Sequence, residues 1–398
     1  MKKIIAGLAF FVIALSGLAE SVIPPLPLEA VCDGSCGTIS GRVQSLSMYR
    51  DYADNGLGNG ANSTLGLVIG YLSPEFAGFD FGLTYNYAGE WFDNNHSELM
   101  VNDDINVLNE AWVRYSLQAI GLTNTTLTAG RKINNGEVFR ADDFRQKARS
   151  IEAVQIETED IPNWRLAIGH AIRMSSWIQA GDRADFNDFG DVFGADDDTD
   201  GITWGEIVYS GFQGSEIAVF DALAYDVAYL IGTRAKWSVT TNMALVGYYR
   251  HETDVGDAAS FSADAFGLSL QQEVCGMTLE PGYFAVHGGD LRFQETTTGI
   301  NHPLGSSMMI YSTQFAGGSD TLYLKATGSV GETKLYALYN YTWHNKLAYD
   351  GQEINFVVKQ PICDKISVAL KIGAGHRSVD GGKNTTATDA RLFVTYNF

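Results

Sequence analysis

Along most of the chain apolar and polar residues alternate one for one. In the last segment Ala390, Leu392, Val394, Tyr396 and Phe398 share one face, and Arg391, Phe393, Thr395 and Asn397 the other. Between Lys365 and Arg377 the apolar set is Ile366, Val368, Leu370, Ile372 and Ala374, against Ser367, Lys371 and Arg377. In 229–239, Tyr229, Ile231, Ala235, Trp237 and Val239 oppose Arg234, Lys236 and Ser238, and in 332–344 Leu335, Ala337, Tyr339, Tyr341 and Trp343 oppose Lys334, Asn340 and Thr342. A period of two belongs to a strand with one apolar and one polar face. Such segments recur at 37–50, 62–72, 79–92, 106–119, 124–131, 149–160, 164–177, 202–212, 215–224, 228–239, 243–254, 259–274, 278–288, 319–330, 332–344, 352–360, 365–378 and 386–398. That makes 18 predicted strands, with 16 as the alternative. After residue 20 no apolar run reaches the roughly 18 residues of a helical span.

The connectors add direction. Long polar stretches (51–61, 93–105, 132–148, 178–201, 289–318) alternate with short ones (73–78, 120–123, 161–163, 213–214, 240–242, 275–277, 361–364), although 225–227, 255–258 and 345–351 are short as well. A chain with long loops at one end and tight turns at the other predicts an all-β fold: a transmembrane antiparallel β-barrel with long extracellular loops and short periplasmic turns. A sandwich or propeller also has many strands, but its apolar faces point into a core and its loops need not segregate by length. Tyr71, Trp91, Trp164, Trp204, Trp237 and Trp343, near strand ends, suit interfacial girdles.

Composition fits. Gly is abundant (43 of 398), charged residues make up only 19%, and mean hydropathy is near zero, as expected when a lipid face and a wet face are averaged. The net charge of −20 argues against nucleic acid as a partner. Lys2 and Lys3, the apolar run Ile4 to Leu15 and the small residues Gly17-Leu18-Ala19 predict a cleaved signal peptide over 1–19, followed by a periplasmic lead over 20–36 and the barrel over 37–398.

The terminal strand Arg391-Leu392-Phe393-Val394-Thr395-Tyr396-Asn397-Phe398 resembles the C-terminal assembly signal of bacterial outer-membrane barrels, which implies Tyr396 and Phe398 as contacts for the barrel-assembly machinery. A narrower resemblance covers 127–170. Leu127-Thr128-Ala129-Gly130-Arg131, Asp142-Asp143-Phe144-Arg145, Glu152-Ala153-Val154-Gln155 and the turn Ile161-Pro162-Asn163 are similar to the strand, inward third loop and following strand of OprD-type and major-outer-membrane-protein porins. It implies an 18-stranded channel in the bacterial outer membrane, narrowed by loop three and lined along one wall by basic side chains. The match departs at Lys147-Ala148-Arg149-Ser150, where that family often carries Pro and Phe.

By facing, the bases Arg42, Arg114, Arg165, Arg173, Arg234, Lys236, Arg250, Lys325, Lys334, Lys359, Lys371, Arg377 and Arg391 fall on the polar, pore-lining side. A lipid-facing Arg or Lys at the midplane costs about 2–4 kcal/mol, so lumenal placement is expected even without function. The sign is informative, because the whole chain is acidic. The acids gather in loops: Asp93, Glu98, Asp103 and Asp104; Asp182, Asp185, Asp188, Asp191, Asp196, Asp197, Asp198 and Asp200; and Glu137, Asp142 and Asp143 beside Arg145 in the constriction loop 132–148. An acidic loop three opposite a basic wall would set a transverse field across the lumen.

Asp196, Asp198 and Asp200 before Gly201 imitate the start of a calcium loop, but Ile207 stands where a bidentate Glu is required. The sequence therefore calls for no cofactor beyond Ca²⁺ as a candidate at that external loop, which is otherwise a solvated surface facing lipopolysaccharide. Cys32, Cys36, Cys275 and Cys363 suggest structural disulfides of an exported protein, with a local Cys32–Cys36 bond or a tether of the lead to a turn favoured over a Cys275–Cys363 bridge. The seven histidines form no spacing with Ser that would make an outer-membrane hydrolase, so no enzyme is expected. The leading function is a porin passing small hydrophilic solutes or ions. An OprD-like channel selective for amino acids or carboxylates and a structural or adhesive barrel are the alternatives. Outer-membrane lipid is the surrounding partner, and a homotrimer is an assembly that general porins adopt.

Overall fold

The computed structural model describes residues 36–52, 58–94, 104–142, 145–176, 184–195, 199–256, 258–294, 296–304 and 313–398. The signal peptide, most of the lead, Cys32, Asp143, Asp196 and Asp198 lie outside the described residues.

Eighteen long strands form one closed antiparallel barrel: β1 (Thr38–Tyr52), β2 (Gly58–Leu72), β3 (Phe79–Asn94), β4 (Ile105–Ser116), β5 (Thr125–Lys132), β6 (Ser150–Thr158), β7 (Trp164–Ser175), β8 (Ile202–Tyr209), β9 (Glu216–Ala224), β10 (Ala228–Thr240), β11 (Met243–Thr253), β12 (Ser262–Val274), β13 (Met277–Gly288), β14 (Ser319–Val330), β15 (Thr333–His344), β16 (Tyr349–Pro361), β17 (Ile366–Val379) and β18 (Thr385–Asn397). The alternative of 16 strands is therefore excluded. A two-residue strand, Asn187–Asp188, pairs with the end of β7 and leads into the one-turn helix α1 (Phe189–Phe193). Each long strand pairs with its sequence neighbours, and β18 returns to β1 with Ser45 opposite Val394. Beyond that ladder Phe398 donates its amide to the Gly41 carbonyl (3.0 Å) and accepts the Gly41 amide (2.9 Å). A Cβ on Gly41 would enter the Phe398 ring, so glycine there lets the last residue complete the seam.

The outward face is apolar, with Leu65, Ile69, Phe81, Leu83, Ile168, Val219, Leu268, Leu322, Ile354 and Phe356 exposed. A closed barrel satisfies every backbone pair without an edge, and an exposed apolar wall is stable only in lipid. The first described residues, the C-terminus and the short turns lie at one end. The girdle at the opposite, long-loop end has a repeated detail: across four hairpins an outward tyrosine donates diagonally to an aspartate, in Tyr87–Asp104 (3.1 Å), Tyr249–Asp264 (2.9 Å), Tyr341–Asp350 (3.1 Å) and Tyr283–Asp320. Aromatic faces thus meet lipid while their hydroxyls and partners reach the aqueous side.

Trp204 is a correction. It points inward, is buried, and meets Phe139 edge-to-face with ring centroids 5.1 Å apart. The inward face is also not uniformly polar. From β8 to β15, Ile202, Trp204, Phe220, Leu230, Tyr248, Phe284, Tyr323 and Leu338 form one apolar cluster with residues of the internal loops, including Phe139, Phe189, Leu291, Phe293, Ile300 and Phe315. The barrel interior on that side is packed like a soluble core.

Cys275 and Cys363 are exposed in short turns as unbonded thiols, and Cys36 is exposed at the start of β1, where its carbonyl accepts the Tyr71 hydroxyl (2.8 Å). No disulfide joins the described cysteines.

Candidate functional site: a constriction built from two inward loops

The connection between β5 and β6 runs over 133–149, one residue later than expected, and lies inside the barrel. At its C-terminal end Gln146 donates to Thr64 Oγ1 (2.6 Å), and Gln44 donates to the Arg145 carbonyl (2.7 Å), which fastens the loop to β1 and β2. At its N-terminal end the backbone amides of Glu137 and Val138 both donate to Glu206 Oε1 on β8 (2.8 and 2.9 Å). Two successive amides converging on one carboxylate form an anion nest, here occupied by a buried side chain of the wall. Gly136 leaves the room this needs, because a Cβ there would overlap the Glu206 carboxylate. Lys147 is fully buried, with its ammonium donating to Ser175 Oγ (2.8 Å) and the Ser176 carbonyl (2.5 Å). Arg149 pairs with Asp142 at 2.6 Å, both side chains buried. The segment that departs from the family pattern thus supplies one tie to the wall at β7 and one within the loop.

The described parts of a second loop, 289–294, 296–304 and 313–318, fold inward from the long-loop end. The amides of Arg292 and Phe293 donate to Glu252 Oε2 on β11 (2.6 and 3.3 Å), a second carboxylate peg, and Arg250 sits 3.2 Å from the other oxygen. Arg250 points inward as expected, yet it is fully buried beneath this loop and does not line open lumen. The two loops touch, with the Asn301 amide donating to the Glu137 carbonyl (2.8 Å) and Asn301 Nδ2 to Glu137 Oε2 (3.0 Å).

The described acids of the first loop, Glu137 and Asp142, do not stand off across the lumen from the basic wall. Glu137 is in contact with it, paired with Arg234 at 2.6 Å, and Asp142 is taken by Arg149. The other inward acids are similarly engaged. Asp80 pairs with Arg114 (2.5 Å), Glu152 with Arg131 (3.1 Å), Glu280 with Lys325 (2.9 Å), Asp389 with Arg50 (2.6 Å) and Arg391 (2.9 Å), and Glu216 with Arg234 (2.6 Å), while Arg165 lies 4.0 Å from Glu206. Arg377 stacks over Tyr349 at 4.3 Å. By contrast Arg173, Lys236, Lys334 and Lys359 have no carboxylate partner among the described residues. Lys334 and Lys359 stand directly opposite each other between β15 and β16, and Lys371 stands opposite Arg391 between β17 and β18, with its ammonium 4.9 Å over the Phe393 ring.

Beside the first loop, on its β1–β4 side, lies an open cleft of about 420 Å³ lined by Arg42, Thr84, Asn86, Asn109, Glu110 and Phe398 among others. Its one acid, Glu110, accepts from Thr84 Oγ1 (2.7 Å) and the Ile133 amide (3.2 Å) and so supports the loop.

Glu206, Glu252, Gln44, Gln146 and Asn301 were not singled out from the sequence. The available signal was an acid at an inward strand position in a wall whose inward charges are mostly basic, but nothing local distinguishes a loop peg from a solvated carboxylate.

No family model and no curated protein matches the sequence. Solved structures do match in fold. Acinetobacter baumannii OccAB4 superposes with a TM-score of 0.71 at 16% identity, covering 92% of this chain and 100% of that one. Pseudomonas aeruginosa OpdK with vanillate gives 0.72 at 12% identity over 90% and 98% of the two chains, and P. aeruginosa OccK2 with glucuronate gives 0.72 at 16% over 91% and 98%. The fold is that of the 18-stranded OprD-type outer-membrane channels, as the resemblance at 127–170 implied.

Proposed function

We propose that the protein is an outer-membrane channel for small hydrophilic solutes that favours anions, with carboxylates as the solute class. The observation that carries this reading is a like-charge juxtaposition in register, Lys334 opposite Lys359, with no carboxylate partner for either among the described residues. Like charges directly opposed across a strand pair are destabilising, by something on the order of 0.2–1 kcal/mol on the scale of cross-strand pairs. Fold stability alone gives no reason to keep such a juxtaposition. A row of fixed positive charge along a water-filled passage raises the local concentration of anions and orients their carboxylates without holding them tightly. OpdK with vanillate and OccK2 with glucuronate, carboxylate-bearing ligands both, favour the same class for this chain.

The inward loops divide the interior. The β8–β15 side is packed by the described parts of the two loops and α1, which leaves the passage to the side that carries Lys359, Lys371 and the cleft at Arg42. Liposome swelling tests the reading with a size-matched series of monocarboxylates, neutral sugars and amines. Carboxylates should enter fastest, and Lys334→Gln, Lys359→Gln and Lys371→Gln combined should bring their rate down to that of the sugars. Equal rates for all three classes in the unmodified protein would contradict it.

A further inference from the structure

We infer that Gly299 is a positioning residue that keys residues 296–301 of the second loop onto Glu137, Arg140, Asp142 and Arg149 of the first, so that these parts set the aperture as one arch. The inference rests on the channel reading and adds to it the part that holds the passage at one width.

The arch can be traced from wall to wall. It starts at β1 and β2 with Gln44, Thr64 and Gln146, and crosses the first loop to Glu137. It passes to the second loop through Asn301 and ends at β11 on Glu252. Among the described residues, hydrogen bonds join the loops from the Arg140 amide to the Thr298 carbonyl (3.2 Å) and from Asn301 to Glu137 twice (2.8 and 3.0 Å). Gly299 lies inside this joint. It closes a tight turn, with its amide donating to the Gln294 carbonyl (2.9 Å) at φ +74°, a left-handed conformation that costs an L-residue about 1 kcal/mol or more. Its α-carbon also rests on the Arg149–Asp142 pair, where a Cβ would overlap both Arg149 Nη1 and Asp142 Oδ2.

That pair cannot step aside. Arg149 donates from the same nitrogen to the Arg140 carbonyl (2.9 Å), and both side chains are buried. A side chain at 299 therefore has to lift the second loop off the first. Turn geometry alone does not explain this glycine, since Gly381 in the β17–β18 connection adopts φ +68° with open space where its Cβ would stand. The two positions separate backbone strain from loss of the joint.

The experiment compares Gly299→Ala, Gly381→Ala and Asn301→Ala with the unmodified full-length protein in planar bilayers. Thermal unfolding of each barrel is followed by its heat-dependent electrophoretic mobility. Gly299→Ala should raise unit conductance and at least double open-channel current noise, while the barrel's unfolding midpoint stays at that of Gly381→Ala. Asn301→Ala should change conductance and noise in the same direction by less, and it decides the question if Gly299→Ala does not assemble. Gly381→Ala should conduct as the unmodified channel does. Unmodified conductance and noise in the assembled Gly299 variant, or in the Asn301 variant where only that one assembles, overturn the inference and leave the channel reading standing. An unmodified protein that makes no conductance steps removes the channel reading itself.

Discussion

Replacing Glu206 by Ala removes the peg that holds the start of the first inward loop. Its carboxylate takes the amides of Glu137 and Val138 at 2.8 and 2.9 Å in a buried setting. A hydrogen bond to a charged group contributes about 1.5–3 kcal/mol, so losing two of them shifts the loop's anchored-to-released equilibrium by about 3–6 kcal/mol. At about 1.4 kcal/mol per factor of ten, that is roughly a hundredfold to ten-thousandfold. Gln keeps one uncharged acceptor, so Glu206→Gln should lose about 2 kcal/mol, the difference between charged and neutral hydrogen bonds counted twice. Both variants also leave Arg165, 4.0 Å away, without its nearest carboxylate, which adds fixed positive charge to the lumen. The assay is single-channel recording: Glu206→Ala should show frequent excursions to a larger conductance and a stronger anion preference, with Glu206→Gln between it and the unmodified channel. The reasoning is refuted if Glu206→Ala assembles normally and its conductance, noise and selectivity are those of the unmodified protein.

Three further outcomes follow from the same structure. Asp389→Asn takes the counter-ion from Arg391 and Arg50 at a fully buried carboxylate; breaking one partner of a buried pair typically costs about 3–5 kcal/mol, so the unfolding midpoint should fall clearly, whereas an unchanged midpoint would rule out this tie. In the short β6–β7 turn, hydrogen bonds from the Thr125 hydroxyl, the Asn124 amide (2.9 Å) and the Thr123 hydroxyl (3.1 Å) hold Asp160 below the usual carboxylate range. Because the folded value is depressed, the stabilisation is complete above the ordinary value near 3.9 and fades as pH falls through the folded value; the protection of this turn's amides relative to their intrinsic exchange rate should fall only in strong acid, and Asp160→Asn should abolish that acid-dependent loss. Exposed Cys275 and Cys363 at the short-turn end should react with a membrane-impermeant maleimide only after the outer membrane of intact cells is opened; labelling of unopened cells would reverse the orientation.

The hairpins of β10, β15, β17 and β18 were legible because each puts most of its large apolar residues on one parity and its bases on the other, and lipid on one side with water on the other is the simplest solvent that sorts them so. The segment around Trp204 was not. Ile202, Trp204 and Val208 on one parity compete with Ile207 and Tyr209 on the other, and the choice is made across the strand, where Gly169 opposite Trp204 leaves space that the indole fills. The loop interior was legible only in part. Asp142 and Glu137 could be identified as loop acids, but whether they face open water or a guanidinium depends on Arg149 and on Arg234, the second 97 residues away. Glu206 and Glu252 serve as pegs because two successive amides of a distant loop arrive at each, and spacing along the chain carries no trace of that.

The central claim is a passage whose fixed positive charge selects anions. It is tested most directly by the zero-current potential of single channels in a KCl gradient, recorded for the unmodified protein and for Lys334→Gln, Lys359→Gln and Lys371→Gln combined. The account predicts a potential of the sign set by chloride that moves toward zero in the triple variant. A potential of the sign set by potassium, or one that the three substitutions leave unmoved, would contradict it.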